Sequence, residues 1–287
     1  MGSLEVSVNA QTNSLSSQGA PREWRRFHFP RDFVRWGALL GVLVFLAWTT
    51  EYLGIPLERF VTMWPKLFGV FTNRYYPPDI NYVLDHDYLA SVVDTIQMAY
   101  LGMLFGVLAA IPLAWFAAFN MSPNRFVIYP AGRFVLMCAR AVHETIWTIL
   151  FVTILGFGML AGVLALTVFC IGFAGKLFAE EIEAIDPGPV EAMRATGANQ
   201  IQVMLYGVWP QVRVAFTGIA IYTWDVAFRA ATVVGFFGAG GMGWYLKRNV
   251  YQIESERVAA ILLSIIALVM VSEIVSAWAR ARVAKAK

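Results

Sequence analysis

Two small sets of ionisable side chains interrupt otherwise apolar sequence. In "RFVLMCARAVHETIWTILFVTIL", residues 133–155, Arg140, His143 and Glu144 stand at i, i+3 and i+4, which places them on one face of a continuous helix. In the run 211–234, Asp225 precedes Arg229 by one turn, with the acid first, the more favourable order. Charge inside an apolar span is costly and points to function by default. Two compatible readings are open. Arg140, Arg229 and His143 line a polar wall that draws an anion along it, since forked guanidinium N–H groups suit oxyanions. Alternatively, Arg140–Glu144 and Asp225–Arg229 simply neutralise each other. His143 also reads as a satisfied interior histidine, with no second histidine beside it to make a metal site. Asp94 reads as an interface or helix-start charge.

Hydrolytic chemistry has no support in the sequence. An intramembrane enzyme would have to use Glu144, His143 and Asp225, yet no HExxH, GxSxG or paired-cysteine pattern is present. "CIGFAGKL", 170–177, lacks the first glycine and the Ser/Thr of a phosphate-binding loop. "GAGGMG", 238–243, spells G-x-G-x-x-G but follows a helical span rather than a strand. Its glycines, Gly238, Gly240, Gly241 and Gly243, suit close approach and irregular turns at an outer gate. Cys138 and Cys170 read as small buried hydrophobes.

A third set, "EAMRATGANQIQVMLYGVWP", residues 191–210, carries polar side chains between two apolar runs. Upstream, "DPGP" at 186–189 breaks the preceding helix, since proline cannot continue one. Glu191 and Arg194 share a face of a short helix, and Ala192 and Ala195 keep its profile low. Gly197 ends that helix, Asn199 caps the next, and Pro210 opens the following span. The whole is a helix–break–helix bracket presenting one exposed carboxylate. It suits docking into a groove on a soluble partner, and an ordinary amphipathic loop is the plainer alternative.

The elements that position these residues follow from composition. The chain has 287 residues, 59% hydrophobic and 14% charged, with a mean hydropathy of +0.60. Soluble domains carry roughly 25% charged residues. The fold class is therefore an all-α polytopic membrane protein. Six transmembrane helices are predicted at about 34–52, 91–119, 133–155, 159–178, 211–234 and 258–279, with Pro112 bending the second. Fourteen Lys and Arg fall on one side of this arrangement and six on the other, which places both termini and the 179–210 bracket in the cytoplasm. The net charge of +3 collects in those flanks and is no signal for nucleic acid. Residues 53–90 form the one long outer loop.

The spacing of Glu191-Ala192, Gly197 and Pro210 resembles the EAA loop of ABC importer permeases with the type I fold. That pattern runs Glu-Ala-Ala, three residues, Gly, nine residues, Ile-x-Leu-Pro. Here Met193 replaces the second alanine, Gly207 the isoleucine and Trp209 the leucine. "DTIQMAYLGMLFGVLAAIPLAW", "GFGMLAGVLAL" and "ATVVGFFGAGGMG" resemble the start, middle and distal glycine segment of the same domain. Within the family, "AIDPGPVEAMRATGAN", "YGVWPQV" and "RAATVVG" look most like the phosphonate importer permeases, with phosphite permeases close by.

The resemblance implies a division into a cytoplasmic tail (1–22), a first span with its outer loop (23–89), the permease domain (90–280) and a basic cytoplasmic tail (281–287). It implies a subunit of the bacterial inner membrane without catalytic activity of its own. The expected partners are a second permease copy, two cytoplasmic ATPase subunits, an external substrate-binding protein and the lipid bilayer. ATP and Mg belong to the ATPase subunits, and this chain binds no cofactor. Glu191, Ala192, Arg194, Gly197 and Pro210 are then the ATPase-coupling residues, and Arg140, His143, Glu144, Asp225 and Arg229 the substrate pathway. A permease for methionine or another solute and an ion-coupled carrier are the remaining alternatives.

Overall fold

The computed structural model describes residues 31–54 and 57–285, and every regular element among them is helical. Five helices are long and apolar enough to cross a membrane, and a bent pair makes a sixth span. Contacts divide the chain into residues 1–68 and 69–287. In the first unit, α1 (Arg31–Tyr52) carries the span Val34–Tyr52, none of it buried. α2 (Leu57–Val70) continues the helix through Pro65. The tail 1–22 lies outside the described residues.

In the second unit the organising pair is α4 (His86–Ala117) and, after α5 (Ile128–Ala141) and α6 (Glu144–Leu155), α7 (Met159–Glu183). Small residues let the two backbones meet. A Cβ on Gly102 would sit 2.5 Å from the Leu166 Cβ, and one on Gly106 would overlap Cys170. "GMLFG" at 102–106 is thus a small-xxx-small seam, the means by which membrane helices gain van der Waals contact without a hydrophobic drive. Cys170 belongs to this seam and is fully buried, whereas Cys138 is exposed on α5, contrary to expectation.

The remaining elements are α8 (Pro187–Ala195), α9 (Gln200–Gln202), a π-helical turn (Val203–Val208), α10 (Trp209–Val234), a second π turn (Gly235–Ala239), α11 (Gly241–Tyr251) and α12 (Ser255–Lys285). Residues 53–90 are not one loop. They hold α2, a π turn (Phe71–Tyr75) and α3 (Ile80–Val83). From Phe71 onward this stretch packs on α11 and α12. Arg74 Nε donates to Ser255 Oγ at 3.0 Å, Arg257 pairs with Asp79 at 3.6 Å, and Asn249 Nδ2 donates to the Tyr82 hydroxyl at 3.0 Å. Tyr82, Tyr88 and Tyr245 form an aromatic cluster beneath it. Burial, and then the nearby Asp87, push the Tyr245 phenol above its ordinary pKa.

One expectation about the spans is corrected. The third span is broken: α5 and α6 meet at 87° across Val142 and His143. Pro112, expected to bend the second span, lies inside a continuous 32-residue helix. Pro210 stands in the first turn of α10, as expected, although helical structure runs on from Gln200 to Ala239. A π turn lies directly ahead of it. Proline removes one backbone donor and crowds the preceding turn, and a widened turn absorbs both effects.

Candidate functional site

The bracket between α7 and α10 is built by local signals and then clamped. Asp186 caps α8, its side chain accepting from Gly188 N at 3.0 Å, with Pro187 at the first helical position. Gly197 takes φ +78°, the left-handed conformation that ends the helix, and its N–H donates to the Arg194 carbonyl at 3.0 Å. Asn199 and Gln202 then form a full capping box, each side chain accepting from the other's backbone N–H at 2.9 Å. Gln211 on α10 reaches back. Its Oε1 accepts from Asp186 N at 3.1 Å, and its Nε2 donates to Gly207 O at 2.7 Å.

One side of α8 is anchored. Val190 is 5% exposed and packs in a core with Val203, Val208, Val212, Phe178 and Phe216. The other side faces outward. Glu191, Ala192, Arg194, Ala195 and Gly197 are all exposed, and Glu191 makes no hydrogen bond or ion pair among the described residues. Arg194 leans toward the chain after α4, its Nη2 3.9 Å from Met121 Sδ. Asn199→Ala should remove the bond that the Asn199 side chain accepts from the Gln202 amide, and leave the bond donated by its own backbone N–H, at a cost of about 1 kcal/mol. Hydrogen exchange should then be about fivefold faster at the Gln202 amide, with the spans unaffected.

Beneath the bracket the helix ends are tied together. Arg133 on α5 donates to Ala117 O at 2.8 Å and pairs with Glu183 at 2.6 Å. Glu183 also accepts from Phe119 N at 2.8 Å, and Asn120 Nδ2 donates to Ile182 O at 2.7 Å. The Arg133–Glu183 pair spans 50 residues and leaves no local pattern in the sequence.

Asp225 and Arg229 are brought together as their spacing predicted, at 3.0 Å, with the carboxylate side chain 8% exposed and the guanidinium side chain 53% exposed. About half of the Arg229 side chain thus stays exposed beside its pair. Arg140, His143 and Glu144 do not share a face, because the helix they were placed on breaks between them. Arg140 ends α5, His143 caps α6 by accepting from Thr145 N, and Glu144 lies in the first turn of α6. Glu144 pairs with His143 at 3.4 Å and not with Arg140. An acid in a first helical turn also complements the helix dipole.

The glycine segment is a close-packed junction between α10 and α11. Gly238, Gly240 and Gly241 have φ of +113°, +93° and +65°. The Gly238 carbonyl accepts from Gly158 N at 3.2 Å, and Thr95 Oγ1 accepts from Met242 N at 2.9 Å. A side chain on Gly243 would overlap the backbone of Thr232 and Phe236. Gly238, Gly241 and Gly243 are buried in this junction, and Gly240 is half-buried.

The geometry is that of a multi-pass helical membrane protein with an exposed bracket and a paired charge within a span, and the comparisons make it a transport subunit that is not catalytic by itself. Residues 102–285 match the family described as "Binding-protein-dependent transport system inner membrane component", and the chain belongs to that family of ABC importer permeases. Its members work with ATPase and substrate-binding protein subunits. The phosphite transport system permease protein PtxC of Stutzerimonas stutzeri is 38% identical over 231 residues, covering 80% of this chain and 82% of that protein. The phosphate-import permease protein PhnE of Mycolicibacterium smegmatis is 35% identical over 79% of this chain and 42% of its own length. Among solved structures, an inward-facing MetNI methionine ABC transporter superposes with a TM-score of 0.60 at 20% identity, over 68% of this chain and 95% of that one. At that identity the likeness shows the fold alone.

Proposed function

We propose that this chain is the translocation subunit of an importer for a phosphorus oxyanion, phosphonate or phosphite. Two copies pair, and each seats its α8 bracket on a cytoplasmic ATPase subunit. The observation that carries the coupling role is the bracket itself: exposed on one face, packed through Val190 on the other, and held to α10 by Gln211. Such a lever passes a push to α10 without bending. ATP and Mg act on the ATPase subunits, and closure of the ATPase pair carries the brackets with it. The permease pair then switches between inward- and outward-open states as rigid bodies.

Glu191 supplies the polar contact to the ATPase, with Ala192 and Arg194 beside it. Gly197 makes the turn, and Pro210 with its π turn leads into the span. Arg229, oriented by Asp225, and Arg140 attract the anion, while His143 and Glu144 line the break in the third span. The junction of Gly238, Gly240, Gly241 and Gly243 holds the outer gate by close packing. The excess of Lys and Arg on the bracket side supports cytoplasmic termini. The names of the relatives support the phosphorus oxyanion class.

The test is uptake of labelled methylphosphonate into proteoliposomes holding this chain, its ATPase and its binding protein. Phosphite, phosphate and methionine serve as competitors. ATP-dependent uptake blocked by phosphite but not by methionine is expected. An assembled, ATP-hydrolysing complex that takes up no phosphonate would overturn the substrate assignment. Uptake without ATP would overturn the importer mechanism.

A further inference from the structure

A cleft of about 370 Å³ opens between α5 and α7, lined by Arg133, Leu136, Met137, Arg140, Ala141 and Lys176. The two helices lie close because α7 offers bare glycines to α5. A Cβ on Gly172 would stand 2.8 Å from Arg140 Cγ and 2.9 Å from its backbone N, and one on Gly175 would stand 2.5 Å from Leu136 Cδ2. The aliphatic stem of Arg140 is thus laid across Gly172, one helical turn from Lys176, and its guanidinium is delivered to the cleft.

Arg133 is matched by Glu183 at 2.6 Å, and Lys176 by Glu180 at 3.3 Å. Arg140 has no ion pair among the described residues, Glu144 being turned to His143 across the break. Of the three cations that line the cleft, Arg140 alone has no carboxylate partner among the described residues. The C-terminal end of α5 favours a cation at Arg140 but contributes no net charge. The cleft lies along the first half of the broken span, where Arg140 is exposed and its guanidinium is open to an anion. Waters occupy about 30 Å³ each in the liquid, so the cleft has room for a small oxyanion with part of its hydration.

We infer that this cleft is an anion site for a tetrahedral phosphorus oxyanion group, with Arg140 as its forked ligand and Lys176 as its second charge. The same chemistry is offered by the transported ion and by the phosphodiester headgroup of an anionic lipid. As a station for the transported ion, the site rests on the importer reading above. As an anion site, it does not.

The permease–ATPase complex in phosphatidylcholine nanodiscs, without binding protein, separates these cases. One arm measures equilibrium binding of labelled methylphosphonate. The other measures retention of phosphatidylglycerol against phosphatidylcholine by native mass spectrometry. Arg140→Gln is expected to weaken one of the two by about tenfold to a hundredfold, Lys176→Gln by less, and Arg140→Lys should recover part of the loss. Loss in the first arm identifies the transported ion, and loss in the second the lipid. In the wild-type complex, the effective ligand should also slow phenylglyoxal modification of Arg140, a readout that needs no variant to fold. Unchanged binding of both ligands in folded Arg140→Gln, or no protection of Arg140 by either ligand, would overturn the site. A complex that holds the anion at Arg140 yet never imports phosphonate would overturn the importer reading and leave the site standing.

Discussion

Glu191→Ala is expected to reduce ATP-driven uptake by about thirtyfold or more while leaving the assembled spans as stable as before. The two halves of this expectation come from different observations. Glu191 is exposed on α8 and has no partner among the described residues, so its loss should change folding by no more than about 0.5 kcal/mol. If the carboxylate is the polar contact to the ATPase, truncating it leaves a buried partner charge unmatched in the assembled complex, at about 2–5 kcal/mol. Uptake, ATP hydrolysis and thermal unfolding should be measured on one preparation. Hydrolysis without uptake, at unchanged unfolding temperature, is the expected signature. Uptake at the wild-type rate would remove Glu191 from the coupling interface.

Gly243→Ala should act in the opposite way, through the fold. A methyl group there would overlap the Thr232 carbonyl oxygen and the Phe236 nitrogen and approach Gly235 C to 2.6 Å, all of them backbone atoms that cannot rotate aside. Overpacking of this kind costs about 1–3 kcal/mol, and more where the backbone must shift. The variant should lose its folded bundle at a lower temperature, and uptake should fall with it. Gly41→Ala on α1 is the control. No atom lies within 4 Å of its added methyl, so it should be neutral or slightly stabilising. Equal stability of Gly243→Ala and Gly41→Ala would show that the α10–α11 junction yields more readily than its packing implies.

Much of this architecture is legible in the sequence, for identifiable reasons. Long apolar runs determine the spans, because a bilayer demands continuous helix. The bracket is equally readable, since Asp186, Pro187, Gly197 and Asn199 act through their own backbone and nearest neighbours. The break at Val142–His143 is not. "CARAVHETI" has neither glycine nor proline, and the one available sign is a cluster of three ionisable residues in mid-span. That cluster reads as a shared face only if the helix is assumed to continue. α2 is hidden for the converse reason, because Pro65 reads as a breaker in a helix that tolerates it. The Arg133–Glu183 tie and the reach of Gln211 are tertiary, and no spacing announces them.

The π turn at Val203–Val208 has a geometric consequence. Each residue of an ordinary α-helix advances the chain by about 100° of azimuth, so one surplus residue absorbed in a wide turn rotates everything beyond it by about that angle. The bearing of the Glu191 carboxylate on α8 relative to the faces of α10 is therefore set by a count of residues. A chain of the same composition but one residue shorter in this turn would carry the same lever pointed at a different quarter of the membrane plane.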